Sequence, residues 1–512
     1  MDKIDLHGTM KVTLAALVFL GVALLYFIFL PVSYSFDGTV FSQMLRYALL
    51  KHDWLGVTQF HHLAYFPLNY AVYRALETLF HYRVLEFFHL QLFSMFFGIA
   101  TLFLVERMMK KLGMDLLLRL AGVSLVAFSY AFWLFSVDAE IHIPGLFFTA
   151  AGMYLLLCYR DRTWPLLGAA LCFAAAAAFH LTNGLIVVTV FLYLLAERAP
   201  WRRFAQFCLA YAASLLPMYA AYALLSGKSI LTMLYAGLAG NDAYSGYHIA
   251  YAHPLSWTTA LASLASVKRA LLAGTGFPAT LILIVIILLL ALGWRRPGTE
   301  VERRFKRTML FWALPYFLFF SVWDPGNMEF KIQVVVPLLL LVAVSLSGLK
   351  PAAARTTGSI LAIGLLCINL IYGIKPQSEI ANNTDYQVAL AIRRATPDNA
   401  QILITGKFEG YGYGKIYIPY FAGREVLILD WLLGKGHALP EILAELSRRA
   451  ASGCPLYTLE EIAVPGKTLS DLLALHKVGE KDRTLLASAV HFVPVTALPG
   501  NHRLYRLEFR SL

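Results

Sequence analysis

A carboxylate at the edge of an apolar run is the first group in this chain that could do chemistry. Asp37 stands in Phe36-Asp37-Gly38-Thr39, a few residues past the apolar stretch that ends at Leu30-Pro31. At a membrane surface such a charge loses hydration, and that loss has to be met by a partner or a role. The same surroundings would raise its pKa toward that of a general base working near neutral pH. Asp-Gly before an amphipathic run is also an acceptable helix N-cap, and one residue can do both jobs. Behind it come Arg46, Lys51, His52, Asp53, His61 and His62, interleaved with Phe41, Leu45, Leu49, Trp54, Phe60 and Tyr65. This pattern predicts one or two amphipathic helices lying on a bilayer.

Four more polar clusters follow. Ser136 to Pro144 holds Asp138, Glu140 and His142; the tight turn His180-Leu181-Thr182-Asn183-Gly184 is next. A long segment from Ser226 to Gly276 mixes Asn241, Asp242, Tyr244, Tyr247, His248 and Tyr251, and Trp323 to Lys331 carries Asp324, Glu329 and Lys331. Each also has a purely structural reading. Thr182 or Asn183 can cap the following helix while His180 finds a carbonyl, Tyr and Trp gather at bilayer interfaces, and Asp324, Glu329 and Lys331 can form an ion pair at a helix boundary. His61 and His62 with Asp37 and Asp138 could hold a divalent ion, although adjacent histidines commonly point apart on a helix.

The elements that must position these residues are apolar helices. The chain has 512 residues, is 59% hydrophobic and only 14% charged, which excludes an ordinary soluble protein. Spans are expected near Met10–Leu30, Leu85–Val105, Leu116–Phe135, Pro144–Tyr159, Trp164–Phe179, Gly184–Ala196, Ala205–Leu225, Phe277–Trp294, Met309–Val322, Ile332–Leu349 and Thr357–Ile374. That is about eleven, several of them shorter than the ~20 residues of a straight crossing. Arg107, Lys110, Lys111 and Arg119, then Arg160 and Arg162, Arg198, Arg202 and Arg203, Arg295 to Arg307, and finally Lys350 and Arg355 all fall in alternate loops. The positive-inside rule makes that side cytoplasmic, with the N-terminus inside and the chain after Ile374 outside. Clustering of the net charge of +12 at span ends argues for topology and against nucleic-acid binding. Little charge lies at mid-depth, so the polar chemistry occupies one face of the membrane and not a path through it. Residues 1–374 thus form a membrane module whose first external loop is 32–84. The stretch 375–512, with strands at Gln401–Thr405, Val426–Leu429, Pro455–Leu459, His491–Val495 and Arg503–Phe509 and a helix at Leu439–Ala451, reads as a small external α/β domain. Gly410 to Lys415 has the wrong spacing for a nucleotide phosphate loop.

An acid just past the first span, amphipathic surface helices after it, an acidic loop after the third span and an external C-terminal domain together resemble the GT-C superfamily of polytopic glycosyltransferases. The likeness is to the branch of aminoarabinose transferases and protein O-mannosyltransferases. The resemblance implies transfer of a sugar from a polyprenyl-phosphate carrier to a lipid, glycan or protein acceptor on the external face, with inversion, in a bacterial inner membrane. It places Asp37 at the family's first-loop acidic position, Asp138 or Glu140 at the second, and His61-His62-Leu63 with Pro67 in the segment between the surface helices. Such a reaction needs a base, for which Asp37 is the choice, and positive groups for the departing phosphate, for which Arg46, Lys51, His62, His180 and Lys331 are candidates, with Asp324 and Glu329 nearby. No cofactor is required; a divalent metal is an option. The competing reading is a lipid or solute transporter or flippase, which would favour internally repeated halves that this sequence lacks.

Overall fold

A computed structural model describes residues 6–159, 162–227, 229, 231, 253, 254, 256–406, 414–464 and 466–510. The expected aromatic segment Asn241 to Tyr251 and the glycine-tyrosine loop before Gly414 lie outside the described residues. Two compact units emerge, one of residues 1–31 with 44–376 and the other of 32–43 with 377–512.

The first unit is almost wholly helical. In chain order its helices are α1 (Leu6–Ile28), α2 (Phe36–Lys51, whose first turns belong to the second unit), α3 (Tyr65–Phe80), α4 (Glu86–Lys111), α5 (Leu116–Ala127), α6 (Tyr130–Val137), α7 (His142–Cys158) and α8 (Thr163–Phe179). Then come α9 (Ile186–Ala196), α10 (Trp201–Ser226), α11 (Trp257–Leu271), α12 (Phe277–Arg295), α13 (Glu300–Trp323), α14 (Ile332–Leu346) and α15 (Pro351–Asn369). Among the described residues six stretches are long and apolar enough to cross a membrane, seven if the pair α5 and α6, bent by 69°, is one crossing. The apolar helices α7, α8 and 181–196 are shorter, and α13 opens with the charged run Glu300 to Arg307. Helix α11 falls in a stretch read from sequence as loop, because its first face is polar: Ser256 and Thr259 form a capping box before the apolar residues begin.

A broken helix in an apolar medium must find partners for its backbone, and the α5–α6 break does so through Asn369. Its side-chain amide donates to the carbonyls of Phe128, 2.7 Å, and Leu271, 2.9 Å, while its oxygen accepts from Ala273 N at 2.8 Å.

Loops that carry the arginines meet each other on one face of this unit. Arg119 pairs with Glu106 at 2.8 Å, Arg355 with Asp115 at 3.4 Å, and Glu197 binds both Arg304, at 3.3 Å, and Arg307. Arg304 also donates to Tyr159 O at 2.7 Å. Loops that the sequence assigns to one side of a membrane are therefore cross-linked by charge.

The second unit is built on a five-stranded sheet of β1 (Gln401–Ile404), β2 (Glu425–Ile428), β3 (Leu456–Leu459), β4 (Val490–Leu498) and β5 (His502–Phe509), in the order β2-β1-β3-β5-β4. The β1 strand runs parallel to β2 and β3, whereas β5 is antiparallel to β3 and β4. Alternation along β1 explains the layering: Leu403 packs with Leu443, Leu446 and Leu472 on one face, while Ile402 and Ile404 pack with Val388 and Ile392 on the other. The helix Leu439–Ala451 is where its apolar period puts it. Helices Thr384–Ala395, Lys467–Leu475 and Glu480–Ala489 were not expected from the sequence. Residues 32–43 are fastened here: Val32 N and Ser33 N donate to Gln377 O at 2.9 Å, Asn383 donates to Val32 O at 2.6 Å, and Tyr34 stacks on Phe421 at 4.9 Å.

Candidate functional site

Asp37 lies in the first turn of α2. The capping role open to it in the sequence is taken by its neighbour: Ser35 Oγ accepts from Gly38 N at 3.0 Å. The Asp37 side chain is reached by solvent, and yet protein crowds around it closely enough that burial raises its pKa above the ordinary aspartate range. Access to water together with a raised pKa suits a carboxylate that must accept a proton from a substrate.

In the helical unit, four chain breaks bring a second group of residues together. His61 and His62 sit in a 3-10 turn before α3, with ring centres 4.0 Å apart, so the adjacent imidazoles face each other and do not diverge as helix geometry suggested. His62 lies 4.9 Å from His180, and His180 4.9 Å from His142. Nε2 of His142 is 3.7 Å from a Glu329 oxygen, and Phe330 closes the row at 5.4 Å from His142. Each imidazole is held by local backbone. His62 Nδ1 meets Phe179 O at 3.2 Å, which requires the proton on that nitrogen, whereas His180 Nδ1 accepts from Thr182 N at 3.2 Å and so keeps its proton on Nε2. The His180 side chain, and not Thr182 or Asn183, is thus the cap of the turn after α8.

Asn183 does something else. Its amide donates to Ala176 O at 2.9 Å and its oxygen accepts from Gln333 Nε2 at 2.9 Å; Gln333 in turn accepts from Trp312 Nε1 at 3.0 Å. Gly145 permits this, since a Cβ there would lie 2.4 Å from the Asn183 nitrogen. A small cavity is lined by His142, Thr182, Asn183, Tyr316, Glu329, Phe330 and Gln333.

Asp138 and Glu140 are both buried, Asp138 ending α6 with Oδ1 accepting from Ala139 N at 2.8 Å. Ser94 Oγ donates to Glu140 O at 3.0 Å, which pins this loop to α4. The buried Tyr65 hydroxyl stands close enough to both carboxylates that they add to burial, the larger cause, in raising its pKa.

Most of the expected cations have structural duties. Arg46 pairs with Glu86 at 2.9 Å. Lys331, wholly buried, does not pair with the Asp324 or Glu329 carboxylates; it donates to the backbone oxygens of Phe320, 3.1 Å, and Asp324, 3.3 Å, where α13 ends. Lys51 is an exposed helix end. Burial, reinforced by the other imidazoles, drives the pKa of His62 and of His180 well below the usual histidine value, so both are neutral at pH 7 and offer an N–H or a lone pair, not fixed charge. Among the described residues no three His, Cys, Asp or Glu side chains gather as a metal site. Sequence reasoning passed over His142, Asn183, Gln333 and Tyr65 as functional candidates; a polar residue at the first turn of an apolar helix was the signal available for His142 and Gln333.

No family model matches the sequence, and comparison with curated proteins also gives no match. Solved structures do match. ArnT from Cupriavidus metallidurans in the apo state superposes with a TM-score of 0.62 at 12% identity over 97% of this chain and 98% of that one. The same protein bound to undecaprenyl phosphate gives 0.61 at 11% identity, over 96% and 98%. The archaeal oligosaccharyltransferase AglB from Archaeoglobus fulgidus, in complex with an inhibitory peptide and a dolichol-phosphate, gives 0.52 at 12% identity over 93% of this chain and 72% of its own. This chain shares the fold of these structures. Arabinofuranosyltransferase AftD from Mycobacteria shares it, with a TM-score of 0.55 at 14% identity, although this chain spans only 40% of AftD. The likeness to ArnT runs the length of both chains and so includes residues of both units.

Proposed function

We propose that this chain is a membrane glycosyltransferase that moves a sugar from a polyprenyl-phosphate carrier to an acceptor on the external face, with inversion at the anomeric carbon. The observation that carries the reading is the end-to-end fold likeness to a protein solved with undecaprenyl phosphate. In the reaction the acceptor oxygen attacks C1 from the face opposite the phosphate, the C1–O bond to phosphate breaks, and the electron pair leaves with the phosphate oxygen. Asp37 takes the acceptor's proton. Its raised pKa, its freedom from capping and its access to solvent support that role. Asp138 and Glu140 orient the acceptor, and the neutral His62, His180 and His142 row offers hydrogen bonds that discriminate among sugars.

The reading takes all eleven apolar stretches as crossings, with the cross-linked arginine loops cytoplasmic and residues after Ile374 outside a bacterial inner membrane. The carrier phosphate is itself the leaving group, so no cofactor is required, and activity after dialysis against a chelator decides whether a divalent ion assists. Mass spectrometry of envelope lipids and glycans from cells with the parent chain, with Asp37→Asn and without the protein tests the proposal. One hexose, pentose or amino-sugar increment should be present only with the parent. Identical profiles from all three strains, or loss of a transported lipid with no missing sugar, would refute it.

A further inference from the structure

Transfer from a phosphate carrier needs fixed positive charge where the leaving group departs. Arg46 is engaged by Glu86, Lys331 by backbone carbonyls, and His62 and His180 are neutral. The compact unit that contains Asp37 holds a different cation. Lys415 Nζ lies 5.2 Å from the centre of the Phe36 ring, one residue before Asp37, and 6.0 Å from the ring of Trp431. Its position in the sheet is informative. Lys415 follows β1 and Trp431 follows β2, so both stand beyond the carboxyl ends of two parallel strands. Open α/β sheets bind ligands beyond the carboxyl ends of their parallel strands, and β1 and β2 present theirs side by side. Asp430 N donates to Thr405 O at 3.1 Å, joining the two strand ends, and Asp430 is held by His476 at 2.7 Å. Asp430 favours the charged form of Lys415, against burial, which lowers its pKa.

Resting on the function proposed above, we infer that Lys415 binds the phosphate of the polyprenyl carrier, from the C-terminal α/β unit, in contact with the residue that precedes the base. The ammonium takes up charge that develops on the phosphate oxygen as the C1–O bond breaks, and Phe36 and Trp431 hold the lysine stem in place. Lys415 is then a substrate-binding residue, and the α/β unit takes part in the reaction.

The test is binding of undecaprenyl phosphate to the purified full chain in detergent, with melting temperature recorded for each variant. Lys415→Met keeps the aliphatic stem against the two rings and removes the charge. Its Kd should rise about tenfold or more with the melting temperature unchanged, and Lys415→Arg should stay within about threefold of the parent. Lys415→Ala should lose at least as much affinity as the methionine variant. Parental affinity in Lys415→Met overturns the assignment of Lys415 alone. Failure of the parent chain to bind the carrier overturns the proposed function, and this inference with it.

Discussion

The two faces of the helical unit handle charge in opposite ways. On one, carboxylates are matched to guanidinium groups: Glu106 with Arg119, Asp115 with Arg355, and Glu197 with both Arg304 and Arg307. On the other, carboxylates and imidazoles crowd together at helix ends, with the rings of His62, His180 and His142 4.9 Å apart in succession and Asp138 and Glu140 buried near Tyr65. The first arrangement lowers energy by pairing opposite charges across loops. The second keeps imidazoles in places where burial lowers their pKa values, which is poor for stability and useful for chemistry. Opposite charges therefore fasten one side, and ionisable groups gather at helix ends on the other.

Substitutions can test this contrast and the proposed chemistry, beginning with the base proposed in the second unit. Asp37→Asn should lower transfer by about 10²- to 10⁴-fold, the usual range for losing a general base. Burial raises the Asp37 pKa in the folded chain, so ionisation costs stability as pH rises from the ordinary aspartate range to the raised value; at neutral pH the asparagine variant should melt no lower than the parent. A transfer rate within threefold of the parent, measured on membranes containing equal amounts of protein, would remove Asp37 from catalysis. Glu197→Ala should do the reverse. It leaves Arg304 and Arg307 half-buried without their carboxylate, at a cost of about 2 kcal/mol, read as a lower melting temperature in detergent, while the rate per folded molecule is kept. Gly145→Ala should cost slightly less, about 1–2 kcal/mol, because the Asn183 amide must give up its bond to Ala176 O or to Gln333 to make room. A melting temperature equal to the parent's would show that Asn183 has another comfortable position.

The helices were legible because a long apolar run admits few alternatives, and the arginine loops because the membrane sorts charge by side. The strands at Gln401 and Leu456 could be read for a similar reason, since buried parallel strands are short apolar runs, and the edge strand at Val426 by its apolar run alone. The candidate site was legible only as a set of loops. Nothing local says that Lys331 will turn inward to backbone carbonyls, that Arg46 will find Glu86, or that two adjacent histidines will pack at 4.0 Å. Each outcome depends on which distant helix end arrives beside the residue. Lys415 shows the same limit from the other side. Its glycine-rich surroundings suggested a nucleotide loop of the wrong spacing, while its nearness to Phe36, far away in sequence, appears only in the fold.

The pH dependence of transfer separates the two kinds of group most gently. If Asp37 is the base, the rate rises as its carboxyl ionises, so the acid limb of the profile should lie above the ordinary aspartate range, the direction in which burial moves it. His62 and His180 are pushed the other way, well below the usual histidine value, so their ionisation should leave no limb near pH 6.5. Replacing His62 by Asn, whose amide can donate to Phe179 O as Nδ1 does, should therefore leave the acid limb where it was, with a rate change of only a few-fold. Movement of that limb in the His62 variant would make an imidazole the titrating group and take the role of base away from Asp37.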